Sequence, residues 1–307
     1  MVKLAFTENL RLSKTNQERL ELINKIIEEY AEEGYKLTLR QLYYQLVSRD
    51  IIANRVQEYA KLSTLLVKAR MAGVVDWDAI EDRLRRPFLP YWVTDVEDAI
   101  QDTVRQYRLD RQEGQEVYIE LWVEKDALSG VLKRITSKYH INLMVNRGYS
   151  SLSAMYDAFN RFMHVGKKTL ILYLGDHDPS GLDMVRDIRE RLQEFGMTHY
   201  DQEDFEEAYG EGDFTIKHIG LTKEQIEQYN PPPNPAKLTD PRAKAYIREH
   251  GPTSWEVDAL NPQVLHELVS SNVEDMINMD LFDEKIIQEE KDKKTLSSFG
   301  KSKKEGD

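Results

Sequence analysis

The sequence predicts an α/β protein in two parts, a helical front and a rear built on a mainly parallel sheet. Three observations lead there. Residues 16–72 carry helical periodicity with turn residues between the segments. From residue 117 to 219, short apolar runs alternate with amphipathic stretches, the pattern of strands joined in parallel through helices. Two of those runs end in carboxylates and then open a helix, YIELWVEKDALSGVL at 118–132 and YLGDHDPSGLDM at 173–184.

Bulk properties narrow the class. The chain has 307 residues, and that length suggests about two domains. No apolar run approaches the roughly 18 residues of a membrane span, so no membrane partner is expected. The N-terminus lacks the apolar core of a secretion signal. With no cysteine, disulfides and thiolate metal sites are excluded. The seven histidines are scattered without the spacing of a zinc site. A cytoplasmic, nucleoid-associated location is the expectation. The net charge of −12 argues against simple nucleic-acid binding, but its distribution is uneven. Residues 36–90 hold ten Lys or Arg against six acids, a local +4 that suits a DNA contact confined to one face.

The front reads as three helices. In 16–33, Leu20, Ile23, Ile26, Ile27 and Tyr30 share one face, and Gly34 follows as a stop. Thr38 caps a second helix, LRQLYYQLVSR, and a third runs over about 55–72 to Gly73. A tight link between the second and third makes the module winged-helix-like. The third helix carries Arg55, Lys61, Lys68 and Arg70, suited to phosphates, and Arg83, Arg85 and Arg86 lie in a following wing or link. A solvated helix surface explains the same residues without DNA. In the second helix Arg40 precedes Tyr44 by one turn. An arginine there can stabilise a phenolate, although adjacent tyrosines in a helix also arise as one packed and one rim residue.

In the rear, strands are expected at 117–123, 141–145, 169–175 and 213–219, with helices at 126–137, 151–163 and 181–195. Residues 97–110 form another helix, and EGQE at 113–116 is the boundary loop. The segment after Gly220, with three consecutive prolines, is an irregular crossing or flap, and a helix starts at Asn261. Ligands of parallel sheets gather at the carboxyl ends of strands. Glu124, Asp176 and Asp178 would meet there if their strands are neighbours. Like charges so close repel, which favours a hard cation between them over a plain role as helix-start acids. Alternation turns His177 away, as a structural residue. Lys125 reads equally as a phosphate contact or a surface lysine.

VEK at 123–125 and GDHDPSGLDM at 175–184 resemble the two acidic motifs of a Toprim domain. The DxDPxG form is similar to that of the topoisomerase VI A subunit and the related meiotic double-strand-break protein. In that family a winged-helix domain precedes the Toprim domain and carries Arg-x-x-Tyr-Tyr, whose second tyrosine is the nucleophile; here this is RQLYY, with Arg40, Tyr43 and Tyr44. WEVDAL at 255–260 resembles a stretch that follows the Toprim core. The resemblance covers about residues 36–270. The chain departs from the family in being short and in the link between its two parts. Composition, with almost nothing apolar over 290–307, marks 286–307 as a disordered tail, and the resemblance implies a winged-helix-like domain at 1–112 and a Toprim domain with extension at 113–285. It also implies a type IIB topoisomerase-like activity on double-stranded DNA. Tyr44 joins a 5′ end, Arg40 and Glu124 assist, and Mg²⁺ (or Mn²⁺) is held by Glu124, Asp176 and Asp178. A homodimer is implied, with the tyrosine of one protomer at the metal site of the other. Strand passage needs a separate ATPase B-type subunit, because the chain has no phosphate-binding loop of the G-x-x-x-x-G-K-[ST] form. The competing expectations are a Toprim nuclease using water, with Tyr44 only packed, and a noncatalytic DNA-binding protein. A third, an unrelated α/β enzyme acting on a small phosphate substrate, leaves the basic front unexplained.

Overall fold

The computed structural model describes residues 3–7, 11–81, 90–205, 207 and 213–301. The front contains α1 (Lys14–Glu32), α2 (Leu39–Ser48) and α3 (Val56–Met71). Ser13 caps α1 through its side chain, and Thr38 and Gln41 form a reciprocal capping box on α2. Each helix turns an apolar face inward. Leu20, Ile23, Ile26, Ile27 and Tyr30 of α1 meet Leu42, Leu46, Leu62, Leu65 and Leu66 in one core. Ala259, from far along the chain, belongs to that same core, so the rear packs directly on α2.

The link carries α4 (Val96–Gln106). The rear is a four-stranded, all-parallel sheet of β1 (Val117–Val123), β2 (Asn142–Val145), β3 (Lys168–Leu174) and β4 (Phe214–Gly220), in the order β2-β1-β3-β4. The protein is therefore α/β with a parallel sheet. Alternation along the strands divides the side chains between two covered faces. Ile119, Leu121, Leu170 and Leu172 pack against α5 (Ser129–Tyr139) and a later helix, α11 (Pro262–Glu274). Trp122, Ile171, Tyr173 and Phe214 pack against α6 (Leu152–Val165) and α7 (Pro179–Glu194). A short α8 (Gln202–Phe205) precedes β4. The proline-rich crossing is ordered. It contains α9 (Lys223–Tyr229), the two-residue strands β5 (Asn234–Pro235) and β6 (Thr253–Ser254), which pair antiparallel, and α10 (Ala243–His250) between them. A 3-10 turn, Val257–Ala259, leads into α11.

The tail departs from expectation. Residues 286–301 belong to a long helix, α12 (Met279–Lys301), that lies along α4. Charge anchors it where apolar residues are scarce. Buried Glu289 accepts from the Leu109 backbone N–H at 3.1 Å and pairs with Lys293 and Arg111, and Tyr107 donates to Asp292 at 2.9 Å. Among the described residues no helix is long and apolar enough to cross a membrane.

Candidate active site at the carboxyl edge of the sheet

β1 and β3 are neighbours, with Val123 opposite Leu174, so the acids that follow each strand emerge together. The Glu124 N–H donates to the Leu174 carbonyl at 3.0 Å, and Glu124 Oε2 accepts from the Asp176 N–H at 3.1 Å. Asp176 is anchored in turn. Its Oδ1 accepts from the Val257 N–H at 2.9 Å, and its Oδ2 lies 2.6 Å from Lys125 Nζ. Asp178 caps α7, with Oδ1 accepting from the N–H groups of Ser180 at 2.9 Å and Gly181 at 2.7 Å and Pro179 at the first helical position. Gly181 is required there, because a Cβ would overlap the Asp176 carbonyl oxygen.

The front module supplies the other half. Arg40 pairs through Nη2 with Glu256, and its Nε lies 3.1 Å from Asp258 Oδ2. Lys125 Nζ joins the same two acids, 2.8 Å from Glu256 Oε2 and 3.3 Å from Asp258 Oδ1. Arg40 Nη2 donates to the Tyr44 hydroxyl at 3.5 Å, and the same nitrogen pairs with Glu256, which sets that carboxylate beside the phenol. An unbroken run of contacts therefore leads from Tyr44 through Arg40, Glu256 and Lys125 to Asp176 and Glu124, within one chain. Tyr44 is itself buried, 5 % exposed, with its ring edge-on to Tyr43. Tyr43 points elsewhere and donates to Asn54 Oδ1, while Asn54 donates to the Pro233 carbonyl and ties the flap to the front.

Burial sets the proton affinities, and partners modify them. Burial pushes the Tyr44 phenol up, and Glu256 adds to the rise. Burial also pushes Glu124 up, against the Asp176 N–H and Lys125, with Asp178 adding to the rise. Asp176 and Asp258 are raised by burial despite Lys125. Burial works against the Lys125 charge, but Asp258, Asp176 and Glu256 outweigh it and hold the ammonium above its usual range. Glu256 goes the other way. Burial would raise it, yet Lys125 and Arg40 bring it to about 2, so it is ionised throughout the neutral range.

The structure thus brings together Arg40, Tyr44, Glu124 and Asp176, and sets Asp178 at the same edge as a helix cap. These acids do not fit a metal cradle as arranged. Lys125 occupies Asp176, Asp178 spends an oxygen on α7, and among the described residues no group of three or more His, Cys, Asp or Glu is disposed to hold a metal. Lys125 is a half-buried counter-ion to three acids and not a solvated surface lysine. His177 faces away from the site, as alternation predicts, and its Nδ1 meets the Tyr246 hydroxyl at 2.9 Å. On α3 and its cap, Arg55, Lys61 and Lys68 are exposed, whereas the guanidinium of Arg70 donates to the Trp77 carbonyl at 2.8 Å and stacks on that indole. Arg83, Arg85 and Arg86 lie outside the described residues. Sequence reasoning passed over Glu256 and Asp258. The alternation in WEVDAL, two acids one residue apart, is the same signal that marks Asp176 and Asp178.

No protein-family model and no curated protein matches the chain.

Proposed function

We propose that the protein cleaves DNA by tyrosine transesterification, in the manner of the A subunit of a type IIB topoisomerase, with Tyr44 as nucleophile. One observation carries this reading: the Arg40–Tyr44 pair of the front module joins Glu256, 216 positions further along the chain, and Lys125 links that acid to Asp176 at the carboxyl edge of the sheet. The winged-helix and Toprim assignments rest on the same motifs, RQLYY, VEK and GDHDPSG.

In the proposed reaction the Tyr44 oxygen forms a bond to the phosphorus and gives up its proton. The bond from phosphorus to the 3′ oxygen breaks, and that oxygen takes up a proton. The protein remains joined to the 5′ end. Arg40, beside the phenol, stabilises the phenolate and the charge that builds on the phosphate oxygens. Glu124, whose proton affinity burial raises, is suited to hold the proton delivered to the 3′ oxygen. Arg55, Lys61 and Lys68 supply phosphate contacts away from the reacting bond. A homodimer cutting both strands and a separate ATPase for strand passage belong to the same proposal, and a need for Mg²⁺ or Mn²⁺ belongs to it only with Lys125 withdrawn from Asp176.

The test is denaturing electrophoresis of labelled duplex with the protein and Mg²⁺ or Mn²⁺, with and without chelator, before and after protease. A protease-sensitive adduct at 5′ ends is expected, and Y44F should abolish it together with cleavage. Cleavage that survives Y44F would establish hydrolysis by water, a reading that the burial of Tyr44 favours. Binding without any cutting would leave a noncatalytic DNA-binding protein.

A further inference from the structure

We propose that the Glu256 carboxylate occupies the seat of the scissile phosphodiester, a seat formed by Arg40, Lys125 and the Tyr44 hydroxyl. The inference rests on the DNA-cleaving reading for the identity of the anion. The seat itself stands on geometry. A single oxygen, Glu256 Oε2, is shared by Nη2 of Arg40 and by Lys125 Nζ at 2.8 Å, and the same Nη2 reaches the Tyr44 hydroxyl at 3.5 Å. A guanidinium and an ammonium converging on one monoanion, with a hydroxyl beside the guanidinium, are donors that recognise a phosphate. An anion placed there is held by the guanidinium nitrogen that also meets the nucleophile's hydroxyl.

Charge supports replacement. Two cations, Arg40 and Lys125, face three acids, Asp176, Glu256 and Asp258. A phosphodiester carries one negative charge, so its exchange for Glu256 leaves the balance unchanged. Exposure selects which acid leaves. The Asp258 side chain is fully buried and that of Asp176 is 6 % exposed and bound to the Val257 N–H. The Glu256 side chain is 21 % exposed and the Arg40 side chain 43 %, so this pair faces solvent. Glu256 swings out, DNA phosphate enters, and Arg40 passes from one anion to the other. In the closed arrangement Glu256 keeps Arg40, the cation beside Tyr44, engaged and unavailable, a guard against cutting without DNA.

The test uses the full chain and two probes, inorganic phosphate by calorimetric titration and a short duplex over a salt series. E256Q keeps the shape and removes the charge. It is expected to bind phosphate about tenfold more tightly than the parent and to steepen the salt dependence of duplex binding by about one phosphate contact. The R40A/E256Q double variant should lose the gain. Should E256Q not fold, E256D withdraws the carboxylate by one methylene, and a gain of about threefold in phosphate affinity is expected. No gain in phosphate affinity, or a gain that survives removal of Arg40, overturns the seat. If phosphate binds E256Q while no variant binds duplex, the seat stands as an anion site and the DNA-cleaving reading falls. If duplex binds parent and variant equally and phosphate binds neither, the seat falls and that reading stands.

Discussion

Glu120 and Glu124 belong to one run of chain, and their surroundings are opposite. Glu120 sits in the middle of β1 with no exposed surface. Its two oxygens accept from Tyr118 Oη, Trp122 Nε1 and Asn142 Nδ2 and from Arg161 through both Nε and Nη2, all between 2.9 and 3.1 Å. Glu124, just past the end of the strand, accepts one backbone N–H and faces the charge of Asp178. A buried carboxylate surrounded by donors is a structural hub, and its valence is spent. A half-buried carboxylate left short of donors among other acids is held in place by the fold at a cost. That is the condition of a group reserved for chemistry. The difference lies in position, because only the end of a strand opens onto a crevice.

This contrast can be broken at either end, and the larger effect lies at Glu120. E120A removes the buried partner of Arg161 and strands three neutral donors, so it should cost about 3–5 kcal/mol of stability in urea unfolding. A cost under about 1 kcal/mol would show that the saturated pocket relaxes freely and is no hub.

A smaller effect tests the same logic with a base. The His218 ring on β4 lies against Tyr173, and its Nε2 is shut away from water with no hydrogen-bond partner among the described residues. Burial lowers its proton affinity from the ordinary 6.5 to about 4, with the Gly220 backbone opposing. Because the folded value is depressed, the unfolded chain takes up the proton first as the pH falls. Stability contributed by the neutral ring is complete above 6.5 and is lost between 6.5 and about 4. The loss amounts to about 3 kcal/mol at most. H218Q does not titrate, so unfolding at pH 7 and at pH 4.5 should differ less for it than for the parent, by about 2 kcal/mol.

What was legible in the sequence follows the range of the interaction responsible. The strand ends at Glu124 and Asp176 were readable because an apolar run stopping at an acid is a local pattern, and so were the caps at Thr38 and Asp178. The helix over 286–301 was not, since its stability comes from Glu289 and Asp292 pairing with residues about 180 positions earlier. Burial of Lys125 escaped for the same reason: its partners Glu256 and Asp258 lie more than 130 positions away. Ion pairs at such separation leave no periodicity, and a charged residue in sequence looks alike whether solvated or enclosed. The proposed roles of Arg40 and Tyr44 came from a motif, but Glu256, the acid that engages Arg40, came only from the fold.

The smallest expected effect on stability is also the most discriminating. In E124Q the carboxylate is replaced by an amide of the same shape. The amide still accepts the Asp176 N–H through its oxygen, and it relieves the repulsion from Asp178. Lys125 keeps its contacts with Asp176, Glu256 and Asp258, so no cation is stranded. Burial no longer opposes an ionised group at this position. The variant should therefore be as stable as the parent in urea, or more stable by up to about 1 kcal/mol, while formation of the DNA adduct falls. A loss of stability like that of E120A would place Glu124 among the structural acids and remove the contrast. Unchanged stability with unchanged cleavage would leave the contrast standing and take the proton-delivering role from Glu124. Stability kept or gained with cleavage lost is the outcome that a surrounding fold, holding this acid against its own preference, requires.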